Sequence, residues 1–170
     1  MKESFKKEPI MKMEAMKVVN PESESVLLVK DLMTTDLFTL YTDDSLKIAE
    51  EIMGWRNIRH IPIINYEDEI VGLVTHRDIL KYSISTLAGI SQNERDNLNS
   101  SIKMGNIMST NMITVPENTP LFTAAKIIAN KKIGCLPIVH GAKLVGIITE
   151  ADFVQYFIQT SSFWPGLATI

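Results

Sequence analysis

The sequence predicts an α/β fold built from two β-α-β-β-α units, and internal repetition is what predicts it. The run Val71-Gly72-Leu73-Val74-Thr75-His76-Arg77-Asp78-Ile79-Leu80 returns as Val145-Gly146-Ile147-Ile148-Thr149-Glu150-Ala151-Asp152-Phe153-Val154. In each copy a β-branched strand ends in Thr and runs into a helix whose first turn carries an Asp three residues later. Upstream, Met33-Thr34-Thr35-Asp36-Leu37-Phe38-Thr39-Leu40 aligns with Met108-Ser109-Thr110-Asn111-Met112-Ile113-Thr114-Val115, 75 residues further on. The same offset pairs Leu46 with Leu121, Ala49 with Ala124, Ile58 with Ile133 and Pro62-Ile63 with Pro137-Ile138. It falls to 74 for the Gly-to-Asp run, because the turn after His140 is one residue shorter than the turn after Asn65. A gap confined to a turn is what duplication of a folded unit leaves.

Residues 1–25 have no clean period and are broken by Pro9 and Pro21, which predicts a tail. The first unit, 26–82, opens with an apolar run into a short helical turn at Lys30-Asp31-Leu32-Met33, then a brief strand at Phe38-Thr39-Leu40. Asp43-Asp44-Ser45 supplies an N-cap, and Leu46, Ala49, Ile52 and Met53 form the apolar face of a helix ending near Asn57. His60 to Ile64 and Ile70 to Val74 read as strands joined by a polar turn. Pro62 cannot donate to a ladder, which puts that point at an edge or an irregularity. A helix opening at Thr75 closes the unit.

The connector 83–103 carries the capping pattern Ser91-Gln92-Asn93-Glu94 and reads as an extended or broken helix, solvated on one side. In the second unit, 104–158, Thr119-Pro120 reads as N-cap and first helical residue. Leu121, Ala124, Ala125, Ile127 and Ile128 follow as a buried face. Strands at Leu136 to Val139 and Leu144 to Ile148 flank a turn from His140 to Lys143. The tail 159–170 holds Phe163-Trp164-Pro165-Gly166-Leu167, apolar enough to dock on its own domain or on a second chain.

Composition narrows the function classes. A net charge of -3 gives no electrostatic reason to expect nucleic acid or an acidic membrane surface. One cysteine excludes an internal disulfide framework and fits a reducing compartment. No stretch approaches the roughly 20 apolar residues of a membrane span, and the N-terminus has no secretory core, so the expected location is the cytoplasm. The lysines at Lys6, Lys7, Lys12 and Lys17 are offset by neighbouring Glu.

The Thr-x-x-Asp turns place a hydroxyl and a carboxylate where helix N–H groups point outward, a setting that holds polar ligands. Asp78 and Asp152 each offer two acceptor oxygens for the vicinal hydroxyls of a ribose, and Thr75 and Thr149 can donate to phosphate oxygens. Thr-x-x-Asp is also a plain capping box. Its double occurrence behind a Gly-containing strand favours recognition. His60, His76 and His140 lack metal-ligand spacing, and Cys135 reads by default as a small packed side chain.

Two motifs carry a family resemblance. They are the strands Ile61-Pro62-Ile63-Ile64 and Leu136-Pro137-Ile138-Val139, and the ends Gly72 to Ile79 and Gly146 to Phe153. With both, the chain resembles a tandem pair of CBS domains, the regulatory motif named for cystathionine β-synthase, over roughly residues 29 to 157. The resemblance implies two units packed sheet against sheet by pseudo-two-fold symmetry, with two clefts between them. It implies ligands of the AMP, ADP or ATP type, with S-adenosylmethionine, dinucleotides or metal ions in some members, and no required cofactor. The base is expected against Phe38, Ile58, Arg59, His60 and Ile61 in one copy and Ile113, Ile133, Gly134, Cys135 and Leu136 in the other. Each cleft is expected to join the Thr-x-x-Asp of one repeat to the strand residues of the other. Thr149 and Asp152 then share a cleft with Arg59 and His60, while Thr75 and Asp78 share one with His76 and Arg77 nearby. The clefts differ in charge, since Glu150 and Ala151 stand where His76 and Arg77 do.

Three function classes follow. One is a regulatory module that binds an adenine nucleotide and signals to a separate protein partner. The second is a ligand-free dimerisation scaffold. The third is an enzyme, for which the sequence offers no nucleophile-base pair, metal cluster or Walker-type loop. The family resemblance also implies a disc-like homodimer.

Overall fold

The computed structural model describes residues 26–85 and 91–160; the expected tail 1–25, residues 161–170 of the expected tail 159–170, and 86–90 of the connector lie outside the described residues, while 159–160 belong to the last helix. The first unit runs from a 3-10 turn at Val29–Asp31 through β1 (Leu40–Tyr41), α1 (Leu46–Arg56), β2 (His60–Ile64) and β3 (Ile70–Thr75) to α2 (His76–Ser85). The connector forms α3 (Gln92–Ser101). The second unit runs α4 (Met104–Ile107), β4 (Val115–Pro116), α5 (Leu121–Lys131), β5 (Cys135–His140), β6 (Lys143–Thr149) and α6 (Glu150–Thr160). Each unit holds a three-stranded sheet, ordered β1-β2-β3 or β4-β5-β6, with the first pair parallel and the second antiparallel.

Helix α1 forms where expected. The Ser45 side chain accepts from the Ile48 N–H at 3.4 Å, Leu46, Ala49 and Met53 are buried on one face, and Asn57 ends the helix at φ 54. In α5 the cap is shifted by one residue: Pro120, not Thr119, is the N-cap, and its side chain bonds nothing. The cause lies in the other unit, because the Leu121 N–H donates to Leu27 O at 2.8 Å and so needs no local acceptor. The Leu46 N–H donates in the same way to Ile102 O at 2.8 Å. Strand limits also move, with β3 ending at Thr75, β5 opening at Cys135 and β6 ending at Thr149. The brief first strand lies at Leu40–Tyr41, and His140 and Lys143 are the last ladder pair of β5 and β6, leaving a two-residue turn with Gly141 at φ 65.

The two units exchange their entry segments. Val29, Leu32 and Met33, which precede the first sheet in sequence, pack in the core of the second with Leu121, Ile128, Leu136 and Ile148. Met104, Ile107 and Met108 fill the first core with Leu46, Met53, Ile61 and Val74. Backbone bridges fix the exchange, with Thr34 paired to Ile147 and Ser109 to Leu73.

These bridges explain the proline strands. Pro62 lies opposite Leu73, whose N–H and C=O both bond Ser109, at 3.0 and 2.9 Å, so Leu73 asks nothing of Pro62. On its other side β1 starts only opposite Ile63. Pro137 sits opposite Ile147, which bonds Thr34 in the same manner. Each proline thus occupies a central strand at a point where no donor is required.

Helix α3 is docked, with its Ser91–Glu94 capping box formed. The buried Asn99 amide donates to Glu50 at 3.1 Å, and ion pairs join Arg95 to Glu50 at 3.7 Å and Lys47 to Asp96 at 3.6 Å.

Candidate functional site

Strand alternation decides which side chains can meet a ligand. Along β2, Ile61 and Ile63 are fully buried in the first core while His60 and Pro62 face the opposite way, into a cavity; β5 repeats this with Leu136 and Ile138 inside, Cys135 and Pro137 outside. Ile61 and Leu136, expected at the base, are therefore core residues. Pro62 and Pro137 take their places in the walls.

Two cavities result. The first, about 540 Å³, is lined by Phe38, Ile58, Arg59 and His60 of the first unit and by Thr149, Glu150, Ala151 and Asp152 of the second. The second, about 820 Å³, is lined by Ile113, Ile133, Gly134 and Cys135 of the second unit and by Thr75, His76 and Arg77 of the first. Each wall therefore combines the strand residues of one repeat with the helix-opening turn of the other. Asp78 is the exception, since it does not line the second cavity.

Both Thr-Asp pairs are closed on themselves. The Thr75 N–H and hydroxyl donate to Asp78 Oδ2 at 3.0 and 2.7 Å, and the Asp78 N–H returns to Thr75 Oγ1 at 3.3 Å. The Thr149 N–H and hydroxyl donate to Asp152 Oδ2 at 2.7 and 2.8 Å. The capping role and the cavity role therefore coexist at Asp152. The hydroxyl protons of Thr75 and Thr149 are engaged by carboxylates here, so the expected donation to phosphate is not available in this arrangement.

Between the cavities stands His60. A Cβ on Gly134 would lie 2.7 Å from its Nε2, so this approach requires glycine. Arg59, His60, Gly134 and Glu150 border both cavities. Burial lowers the His60 pKa below the usual 6.5, with Glu150 acting in the opposite sense and Arg59 adding to the fall. Burial pushes the Cys135 thiol up to about 12.

Sequence reasoning missed Thr34, Asp36 and Asn57 in the first wall, and Ser109, Asn111, Lys131 and Lys132 in the second. A signal existed: Thr34 and Asp36 align with Ser109 and Asn111 in the repeated Met-led segment, and Asn57 aligns with Lys132. Among the described residues, no group of three or more His, Cys, Asp or Glu could hold a metal ion. No described helix is long and apolar enough to cross a membrane.

A CBS domain family model matches residues 29–85 and 104–159, and the chain belongs to the CBS domain family as a tandem pair. Among solved structures it is similar to a putative acetoin utilization protein (AcuB) from Vibrio cholerae, at 31% identity and TM-score 0.71, covering 82% of this chain and 97% of that one. It is also similar to the CBS domain pair of protein MJ0100 in complex with 5-methylthioadenosine and S-adenosyl-L-methionine, at 28% identity and TM-score 0.66, covering 80% and 99%. A third likeness is to CBSX2 in complex with AMP, at 25% identity and TM-score 0.66, covering 79% and 98%. A CBS domain-containing protein of Dictyostelium discoideum is 28% identical over 136 residues, 78% of this chain and 92% of its own. In several longer curated relatives the matched stretch is about a quarter of the protein.

Proposed function

We propose that this chain is a ligand-sensing regulatory module. An adenine nucleotide of the AMP, ADP or ATP type enters a cavity between the repeats, draws them together and alters the surface offered to a separate protein, so that the chain reports adenylate level in the cytoplasm by binding rather than by catalysis. The observation that supports this best is the composite wall of each cavity, built from strand residues of one repeat and the helix opening of the other. A ligand that touches both repeats binds one relative placement better than another, and that difference is all a ligand can use to shift an equilibrium. The adenosine moiety common to the ligands of the MJ0100 and CBSX2 structures also supports it. In the first cavity Asp152 has a second carboxylate oxygen for a ribose hydroxyl, a charged hydrogen bond that contributes roughly 1.5–3 kcal/mol.

Thermal unfolding with AMP, ADP, ATP, S-adenosylmethionine and NAD tests the reading. A true ligand at about 100 times its Kd adds about 2.7 kcal/mol. If none raises Tm, the chain is the ligand-free scaffold. The apolar side chains Phe122, Val154 and Phe157, all exposed on α5 and α6, favour a homodimer under either reading.

A further inference from the structure

The duplicated cavities have diverged in charge, and the divergence runs one way. Three pairs of positions related by the repeat each line their own cavity: Asp36 in the first against Asn111 in the second, Asn57 against Lys132, and Ala151 against Arg77. At every pair the second cavity is more positive by one charge. Lys131 adds another cation to the second wall. Its counterpart Arg56 instead lies over the Phe38 and Trp55 rings, 4.2 and 4.4 Å from their centroids, and does not line the first cavity. Arg59 and Glu150 border both cavities and so do not distinguish them.

Among the described residues, what distinguishes the second cavity is thus Arg77, Lys131 and Lys132, with no carboxylate of its own. The first has Asp36 and Asp152 and, among the described residues, no cation of its own. Among the described residues none of those three cations forms an ion pair. Like charges around one hollow repel, and a polyanion relieves them. The negative end of α5 accounts for lysines at its C-terminus. It does not account for Arg77, which sits in the first turn of α2, where the helix dipole disfavours a cation. Lys132 also holds φ 54, where the equivalent residue is Asn57, a side chain that tolerates that conformation better.

Resting on the adenine-nucleotide reading, we propose that the cavities divide ligands by charge: the second takes a polyphosphate nucleotide and the first an uncharged adenine nucleoside. Equilibrium dialysis of the full chain with labelled ATP and labelled adenosine, singly and together, tests this. ATP and adenosine should occupy the chain simultaneously. Lys131→Gln with Lys132→Gln should weaken ATP about tenfold and leave adenosine within about twofold. Raising salt from about 50 to about 500 mM should weaken ATP alone. The triple variant Asp36→Asn, Asn57→Lys, Ala151→Arg should gain a second ATP site per chain, a result that misfolding cannot imitate. Displacement of adenosine by ATP from one common site, or equal weakening of both ligands by the lysine variant, overturns the division and leaves the nucleotide reading standing. Binding of neither ligand overturns both.

Discussion

The Met108 side chain lies across Gly72, with its Cγ 2.9 Å from the point a Cβ would occupy and its Sδ closer still. Met33 lies across Gly146 in the same way, its Cγ also 2.9 Å from the corresponding point. The glycine of each repeated strand is therefore the seat of a methionine arriving from the other unit. This contact ties the exchange of entry segments to the Gly that opens the repeated run.

Gly72→Ala should cost roughly 1–3 kcal/mol, the range for overpacking a filled core, and Gly146→Ala a similar amount. Met108→Ala removes the Sδ and Cγ that obstruct it and leaves only a Cβ at 3.1 Å, so Gly72→Ala combined with Met108→Ala should cost less than the two separate losses together. Urea unfolding of the four proteins in the cycle measures this. Strict additivity would show that Met108 and Gly72 do not meet.

Asp78 and Asp152 make nearly the same bonds to their threonines but stand differently toward the cavities. Replacing either by Ala should cost about 1 kcal/mol of stability through the lost cap. Asp152→Ala should in addition lower affinity for a ligand of the first cavity by about tenfold or more, while Asp78→Ala leaves binding in the second within a fewfold. Denaturation curves and ligand titrations on the same samples separate the two effects.

How far these features were legible in the sequence depends on what each requires. The face of α1 and the Ser45 cap are local, and period and cap chemistry reveal them. The exchange of entry segments is not local: Met33 stands in the same sequence relation to Gly72 as Met108 does to Gly146, so repetition alone cannot say which methionine covers which glycine. Ile61 and Leu136 read from the sequence as wall residues within a continuous stretch, but a strand sends alternate residues to opposite sides and these two face the core. Lys132 and Asp36 were visible in the repeat alignment, but only the folded walls show that they face a cavity.

His60 makes stability depend on pH. Its folded pKa is depressed, chiefly by burial, so the folded state binds fewer protons than the unfolded state between the depressed value and about 6.5. Stability contributed by neutral His60 is present above about 6.5 and is lost as pH falls through that window. The urea midpoint should drop on acidification from about pH 7.5 to about 5.5, and less steeply in His60→Gln. Glu150→Gln removes a neighbour that favours the imidazolium, so its NMR-detected His60 titration should move further down. An unchanged titration would remove Glu150 from this account.

Cys135 should be inert until the fold opens. The residue is 3% exposed and its thiol is pushed up to about 12, so at pH 8 both access and thiolate fraction oppose alkylation. Labelling with iodoacetamide should proceed only through opening, and its rate should rise with urea in step with the unfolded population. A ligand in the second cavity, whose wall includes Cys135, should slow labelling further by stabilising the closed form. Ligand in the first cavity slows it only to the extent that it stabilises the whole chain. At equal Tm gain the two should slow labelling equally, because the reactive species is the unfolded chain; extra slowing by a second-cavity ligand would show that the thiol also reacts through an opening short of unfolding. Rapid labelling of the native protein at pH 8 would contradict the burial on which this comparison depends.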